Sequence, residues 1–544
     1  MKILFIVYEE PTNPVSYPLG VGLLSAILKK RGHDVHGLYI REDLDGAGAL
    51  DAIVARVKAH VPQLLAYSCT SPAFEFIRRI AARLRREVGT TAICGGAHPT
   101  LYPEETLRVQ GIDYICVGEG EVSFPAFVEA LERGADGSAQ PGIWSLDGRG
   151  RMIANRLPGL VQDLDALPWI DYDVFGAEFV RTLTQDGWLR HLTSRGCPYS
   201  CSYCHTPMFR KVYAEGIGTP EHALGYIRFR GCDSILEELS ELVDRYDLTV
   251  LNFMDDLFCM KRARVLEFCR RFRARLPNHV GYSIQTHLQH LDQDVIEALW
   301  KSRCVRVVVG VESGSRRILK LFHRNAEPDA MRQKLLLLHE ARFPLGTWTL
   351  NMLGNPTETL EEMLETLALN AQSLAERVKI NIMAPYPQST LYDFCVAKDL
   401  FTHSPDTVRF ADRSVTKLKF PDRELAFLEK LFDVGHWYLN TLAPLGIADV
   451  YRPLIAEVEH IGPGRWDEVR EHYLKVDREI SALLAKKSLR YYTAVLKGKV
   501  TTNVFGLNDV CSTWTGATRE SRRPRHRTVH PKTNAKHASE CLAD

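Results

Sequence analysis

Short apolar runs and amphipathic segments alternate along most of this chain. Over residues 1–135, the buried-strand pattern Lys2–Tyr8 (KILFIVY) is followed by Val21–Arg31, where Leu23, Leu24, Ile27 and Leu28 recur at helical spacing. Asp34–Ile40, Leu64–Ser68, Thr91–Cys94 and Tyr114–Val117 read as further strands. Helices are expected near 49–60, 74–88 and 123–133. This βα alternation predicts a five-stranded, doubly wound parallel sheet of Rossmann or flavodoxin-like type. Ligands of such sheets sit beyond the carboxyl ends of the strands.

A second alternating region runs from about 187 to 400. Val250–Met254, Gly281–Thr286, Val305–Val311, Gly346–Leu353 and Val378–Met383 are its clearest strands, separated by amphipathic helices such as Ile235–Tyr246 and Thr359–Leu374. About six βα units predict an incomplete (β/α)6 barrel of TIM type, with function gathered at the carboxyl ends of its strands. Beyond Leu400 the period becomes helical, in Glu424–Leu442, Ile447–His460 and Arg465–Lys486. The aromatics there (Phe427, Phe432, Trp437, Tyr438) read as core. The expected organisation is α/β throughout: a doubly wound domain at 1–139, a hairpin-containing belt at 140–186 signalled by Asp147-Gly, the barrel at 187–400, a helical region at 401–497, and a basic, disordered tail at 498–544.

Composition narrows the class. Arginine and lysine (68) balance aspartate and glutamate (67), so overall charge gives no reason to expect a nucleic-acid partner. The arginines at 519, 522, 523, 525 and 527 lack the interleaved aromatics of an RNA-binding arm. No stretch has the length of a membrane span, and MKILFIVYEEPTNP is too soon interrupted by acids to be a signal peptide. Thirteen cysteines without a regular framework suit a reducing, cytoplasmic setting.

Three of those cysteines carry chemistry. Cys197, Cys201 and Cys204 lie in the run Thr193-Ser-Arg-Gly-Cys-Pro-Tyr-Ser-Cys-Ser-Tyr-Cys204-His205. Such a loop can ligate three irons of a [4Fe–4S] cube and leave the fourth without a protein ligand. The alternative is a Cys3His zinc site using His205. It would require the adjacent residues 204 and 205 to chelate one ion, which is geometrically awkward.

The spacing, with Tyr203 before the last cysteine, resembles the signature of the radical S-adenosylmethionine (SAM) superfamily. That resemblance implies that SAM chelates the open iron and is cleaved there to a 5′-deoxyadenosyl radical. Three strand ends extend it. Asp255-Asp256 resembles the acidic end that bonds the SAM amino group. Glu312-Ser313-Gly314 resembles a segment that approaches SAM, and Gly354-Asn-Pro resembles the end that accommodates the nucleoside. Each also reads as a helix cap or a turn. Pro385-Tyr-Pro-Gln388-Ser389-Thr-Leu-Tyr392 approximates a closing motif in which glycine and threonine are replaced. His287 is a weak candidate acid/base or an ordinary strand-end residue.

The N-terminal loops resemble the cobalamin-binding domain that precedes many radical SAM domains. The resemblance implies that Ser68, Thr70, Gly95, Gly96, His98, Gly118 and Glu119 flank the corrin or its nucleotide tail. His36, in Asp34-Val-His-Gly, mimics a cobalt-ligating motif but opens a strand and lacks the final glycine, which becomes Tyr39. It is therefore read as a strand-edge residue.

The implied protein is a cobalamin-dependent radical SAM enzyme methylating an unactivated carbon, or phosphorus, of a small-molecule substrate. It would take electrons from a flavodoxin- or ferredoxin-type donor. The alternatives are a cyclase or rearrangement enzyme with the same cofactors, and a cobalamin or redox sensor. A tRNA methylthiotransferase is disfavoured because no second cysteine triad is present.

Overall fold

The computed structural model describes residues 1–10, 16–41, 50–404, 415–494 and 501–505, the last group and residue 494 by backbone alone. The first domain holds β1 (Lys2–Tyr8), β2 (Asp34–Ile40), β3 (Leu64–Ser68), β4 (Ala92–Gly95) and β5 (Tyr114–Cys116), all parallel in the order β2-β1-β3-β4-β5. Successive side chains of a strand point to opposite faces. Ile3, Phe5 and Val7 therefore join a core under one helical layer, while Leu4 and Ile6 pack with helices 50–60 and 74–87 on the other. The strand order reverses between β1 and β3, where such sheets hold ligands.

The belt adds an antiparallel pair, β6 (Ile143–Leu146) and β7 (Met152–Ile153), to the β5 edge. Residues 170–175 stitch this domain to the next. Tyr17 donates its hydroxyl to Asp171 O, and Ile170 N donates to buried Glu238 Oε1 at 3.0 Å. Tyr172 OH donates to Arg190 O at 2.8 Å.

The barrel strands are β8 (Trp188–His191), then β11 (Val250–Phe253), β12 (Gly281–Thr286), β13 (Cys304–Glu312), β14 (Thr347–Leu353) and β15 (Arg377–Ile382). They run parallel in the order β8-β11-β12-β13-β14-β15. A short antiparallel pair, β9 (Ser194–Arg195) with β10 (Arg228–Phe229), stands at the mouth. The barrel is open between β8 and β15. On the β15 side, β16 (Tyr492–Ala494) and β17 (Thr501–Phe505) extend the sheet antiparallel. Part of the expected tail is thus a strand: TTNVF is rich in β-branched residues that suit a pleated ladder. The rest of that tail, with its arginines, lies outside the described residues. Helices 422–442, 448–459 and 466–486 cover the outer face of β15, and Phe427, Trp437 and Tyr438 are buried there as core.

Candidate active site

Two buried carboxylate-centred constructions set the cysteine loop. Asp255, 1% exposed, accepts from Thr193 N (2.6 Å) and Ser194 N (2.8 Å) on Oδ1, and from Thr193 Oγ1 (2.6 Å) on Oδ2. Both of its oxygens are engaged in holding the strand that leads into the cysteines. Asp256 is the member of the pair that keeps accessible surface; partial desolvation of its carboxyl raises its pKa, and His205 and the Gly196 backbone N–H oppose the rise. The second construction lies at the domain boundary. Arg228 makes a two-pronged contact to Glu119 (2.6 and 2.8 Å), and Arg195 reaches Glu119 (3.1 Å) and Glu121 (2.6 Å). Arg195 is two residues before Cys197, so the cysteine loop is charge-locked to the loop after β5.

The loop itself is tied from inside. Arg210, on the helix His205–Ile217, donates to the carbonyls of Cys197, Pro198 and Tyr199 and to Ser200 Oγ (3.2, 2.9, 3.2 and 2.6 Å). Ser202 Oγ donates to Leu321 O at 2.8 Å. Cys204 caps the same helix, accepting from Thr206 N at 3.5 Å, where the helix dipole favours a thiolate. The three thiols are unpaired and half-buried. Burial pushes all three up, Cys197 to about 12, and a cation bound beside them would favour the thiolates. The three thiols lie on one short loop and close enough to act on one another electrostatically, an arrangement that fits three-thiolate ligation of an iron–sulfur cluster.

Opposite the cysteines, β13 bulges between Gly310 and Glu312, and Glu312 takes a left-handed φ of +68°. Such strain gathers at functional positions. Burial raises the Glu312 carboxyl, while Arg324 at 3.5 Å opposes the rise. Arg324 also donates to Tyr203 OH (3.0 Å) and Gly310 O (2.8 Å), joining the cysteine motif to the bulge. Ser313 is fully buried and bonds inward, to Ser315 N and Thr366 Oγ1. Gly354 turns the chain at φ +69°. Beside it Glu358, 2% exposed, accepts from Asn355 N and Nδ2 (both 2.9 Å), and burial pushes its pKa up to about 8.

His287 stands next to the loop, its ring 4.9 Å from that of Tyr199. Its Nδ1 accepts from Gln289 N, capping the turn 288–290, and burial with the Arg324 charge lowers its pKa to about 3. It is a neutral, largely buried histidine, placed as a cap.

At the N-terminal strand ends, Ser68, Thr70 and Gly95 keep accessible surface. Gly96 (φ +108°) presses on Cys69, whose carbonyl would lie 2.7 Å from any Cβ. Gly118 (φ +83°) meets the Tyr213 ring at 2.8 Å in the same way. His98 is buried, stacked on Phe74 at 3.9 Å and 3.1 Å from Ser71 Oγ. Glu119 is committed to the arginines. His36 pairs with Asp34 on edge strand β2. Gln388 adopts φ +68°, the conformation a glycine would take, and donates to Leu101 O at 2.7 Å. Ser389 caps the following helix.

A doubly wound sheet is thus docked on a partial barrel, with three free thiols on a loop beside the junction. The B12 binding domain family matches residues 12–128, and the Radical SAM superfamily matches residues 192–369. The chain therefore carries a B12 binding domain followed by a radical SAM domain. An uncharacterized methyltransferase of Pyrococcus horikoshii is 26% identical over 421 residues, 74% of this chain and 84% of that protein. An anaerobic magnesium-protoporphyrin IX monomethyl ester cyclase of Cereibacter sphaeroides is 23% identical over 394 residues, 69% and 60% of the two chains. The solved cobalamin-dependent SAM radical enzyme OxsB, with aqua-cobalamin bound, shares the fold at TM-score 0.64 and 14% identity, covering 95% of this chain and 84% of its own.

Sequence reasoning missed Arg195, Arg210, Arg228 and Arg324, and also Glu358. Only Arg195 carried a signal, its place inside the cysteine run.

Proposed function

We propose that this enzyme holds a [4Fe–4S] cluster on Cys197, Cys201 and Cys204, binds SAM at that cluster, and methylates an unactivated carbon, or phosphorus, of a small-molecule substrate. The observation that carries the reading is the lock of Glu119 and Glu121 on Arg195 and Arg228. It ties the segment after β5 of the cobalamin-binding domain to the strands that flank the cysteine loop. When bound, the cluster supplies the electron that cleaves SAM, and cobalamin supplies a route for methyl transfer to a centre that is not nucleophilic.

The chain's own contribution is placement. Asp256 offers a carboxylate to the SAM ammonium, Glu312 and Gly354 shape the nucleoside side, and Arg324 holds Tyr203 against the bulge. Ser68, Thr70 and Gly95 offer the accessible surface for the corrin. The external electron donor is of flavodoxin or ferredoxin class. Among the described residues no helix is long and apolar enough to cross a membrane.

The cyclase relative keeps a second outcome in view, radical chemistry without net methyl transfer. Anaerobic incubation of the reconstituted enzyme with SAM, reductant and cobalamin tests the methyltransferase reading. Formation of both 5′-deoxyadenosine and S-adenosylhomocysteine supports it. Formation of neither refutes it, and 5′-deoxyadenosine alone favours the second outcome.

A further inference from the structure

The bore of this barrel is unlike a packed one. Along β13, Val305, Val307, Val309 and Val311 face the helices and are 0% exposed, whereas Arg306, Gly310 and Glu312 face the bore and retain accessible surface. The alternation repeats in β8, β14 and β15. TIM-type bores are ordinarily filled by branched apolar side chains. Here the inward positions mix apolar groups, Trp188, Val308, Trp348, Leu350 and Met352, with polar and charged ones that keep accessible surface, Arg190, Asn252, Arg306 and Arg377.

They are also cationic. Strand register sets Arg190, Asn252, Ser283 and Arg306 in one row across β8, β11, β12 and β13. Arg306 lies between the rings of Trp188 and Trp348, at 4.6 and 4.3 Å, and donates to Ser283 Oγ (2.8 Å) and Asn252 Oδ1 (3.2 Å). Arg377 covers Trp348 as well, at 4.1 Å. The acceptors of Arg306 are neutral. Burial and repulsion from Arg377 and Arg190 lower its pKa to about 10. Arg190 makes no side-chain hydrogen bond or ion pair among the described residues. Glu9, from the first domain, is the carboxylate that acts on it, across the open side of the barrel.

Charges withdrawn from water are normally paired. Arg190 and Arg306, in one row with only neutral side chains between them, create a positive field in the bore, and an unengaged guanidinium is a fork shaped for an oxyanion. We propose that the bore takes an oxyanionic substrate, a carboxylate or a phosphate or phosphonate, anchored by Arg190 with Arg306 and Arg377 behind it. This rests on the radical SAM reading of the site, since it assigns the substrate's remote end to the bore and its reacting end to the cysteine loop.

The test is calorimetric titration of the full-length chain, at constant ionic strength, with inorganic pyrophosphate, methylphosphonate and succinate. The expected result is saturable binding of at least one probe. Arg190→Gln should weaken it at least tenfold, Arg190→Lys should restore part of it, and Arg79→Gln on an exposed helix face should leave it unchanged. A stronger response to the phosphorus oxyanions assigns a phosphate or phosphonate; a stronger response to succinate assigns a carboxylate. Absence of binding for all three probes, or affinity unaltered by Arg190→Gln, overturns the proposal. So does loss of probe binding when cobalamin is loaded, because Arg190 would then serve the phosphodiester of the cofactor. Production of 5′-deoxyadenosine by the same wild-type preparation reports separately on the parent reading: its failure leaves the anion result standing, and the reverse also holds.

Discussion

Asp255 and Asp256 are neighbours in sequence with opposite duties, and substitution separates them. In Asp255→Ala, two buried N–H groups and one hydroxyl lose their acceptor. At about 1–3 kcal/mol per orphaned group, the strand entering the cysteine loop loses about 3–9 kcal/mol of local stability, and cluster incorporation falls with it. Asp255→Asn is milder: Oδ1 still accepts both N–H groups, and the Thr193 hydroxyl can rotate to accept from the new amide. Its cost is about 1 kcal/mol, and SAM affinity is expected to stay within about threefold of wild type. Asp256→Asn is expected to leave the loop intact and to remove the charge proposed to meet the SAM ammonium. A charge-assisted bond contributes about 1.5–3 kcal/mol, so SAM should bind roughly 10- to 150-fold more weakly. The assay is equilibrium dialysis of radiolabelled SAM against each reconstituted variant, with iron content measured in parallel. Collapse of SAM binding in Asp255→Asn with a full cluster, beside normal binding in Asp256→Asn, would refute this division of labour.

Glu358 makes stability depend on pH. Its folded pKa of about 8 lies above the ordinary carboxylate value, so the stability tied to its protonated form is complete below about pH 4.5 and is lost as pH rises through 8. Thermal melts from pH 6 to 9 should fall by an amount on the order of a few kcal/mol, and Glu358→Gln should flatten that fall. At Gln388, left-handed strain of about 1 kcal/mol opposes a hydrogen bond of about 1 kcal/mol. Gln388→Gly is therefore expected to be near neutral in thermal unfolding, and Gln388→Ala destabilising by about 1 kcal/mol. Arg228→Ala leaves Glu119 half-buried without its two-pronged partner. It should lower product formation per cluster while iron content and corrinoid affinity persist; unchanged turnover would remove the lock from the account.

The legible parts of the sequence were those where local pattern and global structure agree. KILFIVY and VRVVVGV are apolar because both faces of a doubly wound sheet, or the helix-covered face of a barrel strand, exclude water. The cysteine loop was legible because cluster ligation demands close spacing on one segment. The charge lock was not, since Arg195–Glu121 and Arg228–Glu119 join residues 74 and 109 apart, and each arginine alone reads as an ordinary surface charge. The roles of Asp255 and Asp256 differ by one step of side-chain direction, which a two-residue acidic pair does not reveal. The bulge that twists Glu312 into positive φ follows from pairing between strands rather than from local composition. Residues 501–505 become a strand only because β15 offers an open edge.

The most direct test of the central claim is mass-spectrometric product analysis of one anaerobic incubation, with the full chain, reconstituted cluster, cobalamin, SAM and a strong reductant. 5′-Deoxyadenosine and S-adenosylhomocysteine are expected together, both abolished by Cys201→Ala. Neither product appearing in the wild-type incubation would contradict that claim.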